Sequence, residues 1–117
     1  RLAAELHNRQ ELHGEPFNFG PLTHESHTVL ELVKEMSYHW SAVSYEDVSE
    51  LASGPYESGL LKLNCDKALN LLDWKAVLSF KETVRMTANW YRAYYSKPNT
   101  IRDITFAQIQ DYETLVK

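Results

Sequence analysis

The stretch Ser79-Phe80-Lys81-Glu82-Thr83-Val84-Arg85-Met86-Thr87-Ala88-Asn89-Trp90-Tyr91-Arg92-Ala93-Tyr94-Tyr95 carries the clearest structural signal in the chain. It opens on a Ser-x-x-Glu capping box, in which the Ser hydroxyl and the Glu carboxylate each satisfy an amide N–H that the first helical turn leaves without a partner. Behind the box, Val84, Ala88, Tyr91 and Tyr95 recur at the spacing of one helix face, and Trp90 and Tyr94 widen it. Pro98 forbids continuation and Asn99 is a natural turn residue. One long helix is predicted. Its rings could serve as a stacking platform for a base, but at helical spacing such rings are more often core, and core is the expectation here.

Working outward, Thr28-Val29-Leu30-Glu31 is a second box, followed by an apolar stripe of Val29, Val33, Met36 and Trp40. Thr105-Phe106-Ala107-Gln108 reads as a third, with Ile109, Tyr112 and Val116 behind it. Asn64 is positioned to cap a helix running through Ala68, Leu71 and Leu72, and Trp74 to anchor the turn that follows. Ala3, Ala4, Glu5 and Leu6 are good helix formers with no capping residue ahead of them, so the chain is expected to be a fragment that enters a helix partway along. Phe17 and Phe19 alternate with Asn18 as in a short strand that Gly20-Pro21 stops. Residues 42–48 and 60–63 read as two more extended segments, with a Gly- and Pro-bearing loop over residues 49–59 between them. The fold class is α/β, mostly helical with two or three short strands, and nothing in residues 1–117 divides them into separate domains.

Composition agrees with a folded chain. Of 117 residues, 44% are hydrophobic and 12% aromatic, too many rings for a disordered segment. Twelve Lys and Arg against sixteen Asp and Glu leave a net charge of −4, which argues against nucleic acid as a partner. No apolar run approaches the roughly 18–20 residues of a membrane span. The single cysteine, Cys65, excludes an intrachain disulfide framework and fits a reducing, cytoplasmic setting.

Motifs that carry chemistry are few. Gly14, Gly20, Gly54 and Gly59 give neither a dinucleotide fingerprint nor a P-loop. No Tyr is followed four places on by Lys, so the catalytic pair of short-chain reductases is absent from these residues. His24-x-x-His27 has a metal-like spacing without further ligands, and is read as two polar loop histidines. Cys65 is read as a small half-buried residue at the first turn of a helix rather than a nucleophile. The loop Ser53-Gly54-Pro55-Tyr56-Glu57-Ser58-Gly59 stands apart, because loops on a rigid scaffold are where binding residues concentrate. There the Glu57 carboxylate can accept from sugar hydroxyls and the Tyr56 ring can pack on a sugar or base face.

Several strings, in order along the chain, resemble the C-terminal region of the CDP-glucose 4,6-dehydratases, a family of extended short-chain dehydrogenases/reductases. They are Gly14-Glu15-Pro16-Phe17-Asn18-Phe19-Gly20-Pro21, Thr28-Val29-Leu30-Glu31-Leu32-Val33, Leu61-Lys62-Leu63-Asn64-Cys65-Asp66-Lys67-Ala68, Leu72-Asp73-Trp74-Lys75, Glu82-Thr83-Val84 with Trp90-Tyr91, and Ile104-Thr105-Phe106-Ala107-Gln108-Ile109 on to Tyr112. The resemblance implies a small, mostly helical substrate-binding domain that closes over a nucleotide sugar. It implies too that a Rossmann half, absent from this chain, holds NAD and the catalytic Tyr and Lys. In that family a hydride leaves C4 of the glucosyl unit, water is lost across C5 and C6, and the hydride returns to C6, giving a precursor of dideoxysugars in surface polysaccharides. Tyr56 and Glu57 are the substrate-binding residues so implied, and a homodimer of the longer protein the implied assembly. Tyr56 stands where the family has His, Ser58 where it has Ala, Asn64 where it has Asp, and Asp73 and Ala76 where its turn has Gly and Pro. Asn18 is expected to be structural, its amide tying neighbouring loops. The alternatives left open are another nucleotide-sugar dehydratase or epimerase and a stand-alone helical module that binds a protein partner through its Tyr-rich helix.

Overall fold

A computed structural model describes residues 2–21, 25–48 and 63–116. Its α-helices are α1 (Leu2–Asn8), α2 (Val29–His39), α3 (Asp66–Leu72), α4 (Phe80–Ser96) and α5 (Ile101–Leu115), with 3-10 turns at Gln10–Leu12 and Pro98–Thr100. The chain divides into two compact units: Arg1–Ser26 with Glu57–Ala76, and His27–Tyr56 with Val77–Lys117. No helix among the described residues is long and apolar enough to cross a membrane.

The first unit is built on α1, the short turn after it and α3. Leu12, Ala68 and Leu72 are buried, and Leu2, Leu6, Phe17, Leu71 and Trp74 pack around them. Polar side chains lock the same elements together. Arg9 donates from Nη1 to the Leu71 carbonyl and from Nε to Glu11, while the His13 ring donates to the Leu6 carbonyl at 2.7 Å. At the end of α3, Asp73 turns left-handed (φ 49°, ψ 40°) and the Trp74 N–H reaches back to the Ala68 carbonyl at 3.2 Å. The bond spans one residue more than the six-to-one bond of a Schellman ending, and the left-handed position is one that glycine takes most cheaply.

The strands expected of an α/β fold are not found among the described residues. Residues 15–20 and 43–48 take no regular secondary structure, and no ladder forms on them. A strand is stabilised only by a neighbouring backbone. Phe17, Asn18 and Phe19 instead reach their neighbours through side chains, so their alternation reflects two packing faces and not a sheet. Of the segment 60–63, only Leu63 is among the described residues.

In the second unit α4 packs against both α2 and α5. Val84 and Ala88 are the buried residues of α4, and the fully covered Ala88 permits close helix approach. Both capping boxes form: the Thr28 hydroxyl accepts from the Glu31 N–H at 3.1 Å and the Glu31 carboxylate from the Thr28 N–H at 2.7 Å, and Ser79 and Glu82 repeat the pattern. The His27 ring, ahead of α2, stacks on Phe80 at the start of α4 with centroids 3.8 Å apart. Arg92 donates to the His39 carbonyl at 3.0 Å, closing the C-terminal end of α2.

Two expectations fail here. The third box does not exist, because α5 begins earlier, at Ile101, led in by the 3-10 turn with Pro98 at its start. Thr105 therefore lies inside the helix, where its hydroxyl donates to the Ile101 carbonyl at 2.7 Å and accepts from the Trp90 indole N–H at 2.9 Å. Gln108, the supposed box partner, donates to the Met86 carbonyl of α4 at 2.8 Å. The tyrosines of α4 are not core: Tyr91, Tyr94 and Tyr95 are 43%, 47% and 68% exposed. Beyond Ala88 the rings satisfy one another, Trp90 stacking on Tyr94 at 5.4 Å and Trp40 on Tyr95 at 5.7 Å. The α2 stripe is likewise shallow, with no fully buried residue and Val29 exposed.

The Thr28 N–H and hydroxyl hold the Glu31 carboxyl below the ordinary glutamate range, and the Ser79 hydroxyl and N–H do the same for Glu82. A lowered folded-state value means the caps contribute fully above the unfolded value and are lost as pH falls through the folded one. Thermal melts followed by circular dichroism should therefore show a Tm that drops only below the ordinary glutamate range, and a shallower drop in the Glu31→Gln, Glu82→Gln double variant. A second measurement isolates the left-handed ending of α3. Asp73→Ala and Asp73→Gly both remove the carboxylate, so their difference reads the backbone alone, and urea unfolding should find the glycine variant more stable by about 1 kcal/mol.

Candidate functional site

Within the first unit, residues 15–20 come to lie beside residues 63–65 and the first turn of α3. The Asn18 amide donates to the Asn64 carbonyl at 3.3 Å, as expected of a side chain that ties two loops. A Cβ placed on Gly20 would lie 3.5 Å from both Cys65 Sγ and Leu63 Cδ1, ordinary van der Waals contact, so the two segments touch along their length. Phe19 meets Trp74 edge-on with centroids 4.9 Å apart, and Phe17 lies 6.4 Å from Phe19. Lys67 places its ammonium 5.1 Å from the Phe17 ring centroid while pairing with Glu15.

The helix start is organised one residue away from the expected place. Cys65 occupies the cap position without a side-chain cap bond, and Asn64 supplies the acceptor, its Oδ1 taking the Asp66 N–H at 2.8 Å. The Asn64 amide also donates to Asp66 Oδ2 at 3.1 Å. Cys65 is half-buried, as the sequence suggested, but at the cap position and not within the first turn.

These residues form a ring-lined shelf with one ion pair over an aromatic face. Phe19 is 40% exposed, and Asn18 and Glu15 are exposed beside it. Such a surface can pack on a planar or sugar ring and meet its hydroxyls with a carboxylate and an ammonium. Among the described residues of this shelf no nucleophile is held by a base. Tyr56 and Glu57, the expected substrate contacts, lie outside the described residues, as does His24. His27 sits in the other unit, on Phe80 and 3.9 Å from Glu31. Among the described residues no three His, Cys, Asp or Glu side chains cluster as a metal set would.

The Lys67–Glu15–Phe17 arrangement was not legible in the sequence. Glu15 and Lys67 are 52 positions apart, and nothing in local spacing announces a pair formed only by tertiary folding. The one available signal was indirect: both segments belong to strings that resemble the same family.

Over 96 residues, 80% of its length, the chain is 31% identical to CDP-glucose 4,6-dehydratase of Salmonella typhimurium, and the aligned part is 26% of that enzyme. The chain thus spans about a quarter of the length of the curated relative it matches. No protein-family model matches the chain. No solved structure matches it. What the similarity supports is a dehydratase-like region.

The amide tie of the shelf can be tested directly. Asn18→Ala, and Asn18→Asp, which keeps the shape and loses the donor, should each cost about 1 kcal/mol in urea unfolding, the ordinary worth of one such hydrogen bond.

Proposed function

We propose that this chain is the nucleotide-sugar-binding part of a 4,6-dehydratase that converts CDP-glucose to CDP-4-keto-6-deoxyglucose, in the cytoplasm and on the way to the dideoxysugars of surface polysaccharides. The net reaction is loss of one water from the glucosyl unit, with no net oxidation. The observation that carries the reading is the 31% identity to a CDP-glucose 4,6-dehydratase over most of the chain. The meeting of the Phe17-Asn18-Phe19-Gly20 and Leu63-Asn64-Cys65 segments in one shelf supports it, since these strings resemble that family most specifically.

The glycines among the described residues do not fit a dinucleotide. Gly14 is at a left-handed turn (φ 78°) after a 3-10 turn, and Gly20 lies in a segment without regular structure, so neither opens a helix onto a phosphate. In this proposal NAD and the catalytic Tyr and Lys therefore belong to a Rossmann half outside these residues. The role left to this chain is to bind the remote nucleotide and fix the sugar at the reacting centre, which is how binding energy away from the chemistry lowers a barrier. Glu57 accepts from sugar hydroxyls and Tyr56 packs on the ring or base.

A second reading has one observation in its favour. The exposed Tyr91, Tyr94 and Tyr95 would suit a helical module that holds a protein partner. Assay of the full-length gene product that carries these residues separates the two. With NAD present, CDP-glucose is expected to give a product lighter by one water, detected by mass spectrometry, in preference to UDP- and dTDP-glucose. Turnover of none of the three would overturn the dehydratase reading. In the same enzyme Glu57→Ala should raise KM for the CDP-sugar about tenfold or more, the worth of a charged hydrogen bond, and an unchanged KM would remove Glu57 from the site.

A further inference from the structure

Where α4 turns into α5 the sequence changes character. From Thr83 to Arg102 there is no Asp or Glu, while Arg85, Arg92, Lys97 and Arg102 are basic and Trp90, Tyr91, Tyr94 and Tyr95 aromatic, in a chain of net charge −4. Residues 94–99 are all exposed, so the turn projects into solvent, with Arg92 and Arg102 exposed on either side of it. Arg102 lies 5.6 Å from the Phe106 ring centroid, a further cation beside an exposed ring. Two acids of the packed helices are engaged elsewhere. Glu35 on α2 pairs with His39 at 3.3 Å, and Asp103 lies in the first turn of α5, whose positive end its charge complements.

Five rings line this end as one ladder. Trp40 stacks on Tyr95 at 5.7 Å, Tyr95 meets Tyr94 edge-on at 5.3 Å, Tyr94 stacks on Trp90 at 5.4 Å, and Trp90 meets Tyr91 edge-on at 5.2 Å. The Trp90 N–H is fixed on Thr105, and rings so ordered lose little freedom on docking. A nucleic-acid strand binds such residues by laying its bases on ring faces, but here Tyr94 and Tyr95 each give a face to an indole. A lipid headgroup layer asks for less: amphipathic rings seated between water and acyl chains, and cations that reach anionic phosphates.

We propose that this projecting end, Tyr91, Tyr94 and Tyr95 with Lys97 and Arg102, is a docking surface for an anionic phospholipid bilayer, on which the protein rests without crossing it. Each Lys or Arg within reach of such a surface contributes about fivefold in affinity, so the contact is reversible and sensitive to salt. The proposal does not rest on the dehydratase reading, because its test measures lipid binding and not turnover.

Co-sedimentation of the full-length chain that carries these residues should be stronger with vesicles of phosphatidylglycerol and phosphatidylcholine than with phosphatidylcholine alone, and should fall away at high salt. Lys97→Gln and Arg102→Gln should each weaken it about fivefold, and the pair together roughly twenty-five-fold, while Lys97→Arg keeps it. Circular dichroism confirms that each variant retains its helices. The anionic vesicles should also slow hydrogen exchange over residues 94–102. The proposal is overturned if neutral vesicles bind equally well, if neither kind binds, or if the Gln variants bind as the parent does. Protection of residues 94–102 without vesicles also overturns it, since another part of the chain then covers them. So does capture of a single-stranded oligonucleotide in preference to the anionic vesicles, which would make nucleic acid the partner.

Discussion

The first unit depends on how α3 ends. Asp73 takes a left-handed conformation and the Trp74 N–H closes on the Ala68 carbonyl, which sends the chain back across the helix it has just left. That reversal brings the indole to the buried trio of Leu12, Ala68 and Leu72, and against the edge of Phe19. Without it Phe19 loses the ring it meets edge-on, and the shelf that joins residues 15–20 to residues 63–65 loses one wall. A non-glycine residue is tolerated because Asp is among the few side chains that visit this region at modest cost.

The second unit is organised around small and polar residues more than around a large core. Ala88 lets the helices approach, and three side-chain bonds, Trp90 to Thr105, Gln108 to Met86 and Arg92 to His39, set how α4 meets its neighbours. Hydrogen bonds of this kind fix geometry at modest net energy. The exposed rings of α4 and the exposed Phe106 and Ile109 of α5 are the counterpart of that economy: little apolar surface is covered within the unit, and much is left facing outward.

What could be read from the sequence was local. The Thr28 and Ser79 boxes, the stop after Ser96 and the helix through Ala68 and Leu72 follow from interactions between residues three or four apart, which sequence spacing states directly. The Thr105 box failed because the same Thr-x-x-Gln pattern also serves inside a helix, where the hydroxyl bonds backward and the amide reaches a neighbour. The Phe17–Phe19 alternation was real, but a period of two says only that two faces differ, not that a second strand is there to pair with. Tyrosines at helical spacing read as core, yet the hydroxyl and ring edge leave them equally at home half in water. The candidate shelf was visible only as unexplained string likeness, since its ion pair and amide tie join residues far apart in sequence.

The placement of the three indoles has a practical corollary. Trp74 belongs to the first unit, while Trp40 and Trp90 belong to the second, each stacked on a tyrosine and Trp90 also bound through its N–H. The emission of the three is therefore divided between two separately packed bodies. Proteins retaining a single indole, at position 74 or at position 90, carry a native optical probe for each body. Whether the two melt as one cooperative block or in succession can then be followed by light alone, without any attached dye.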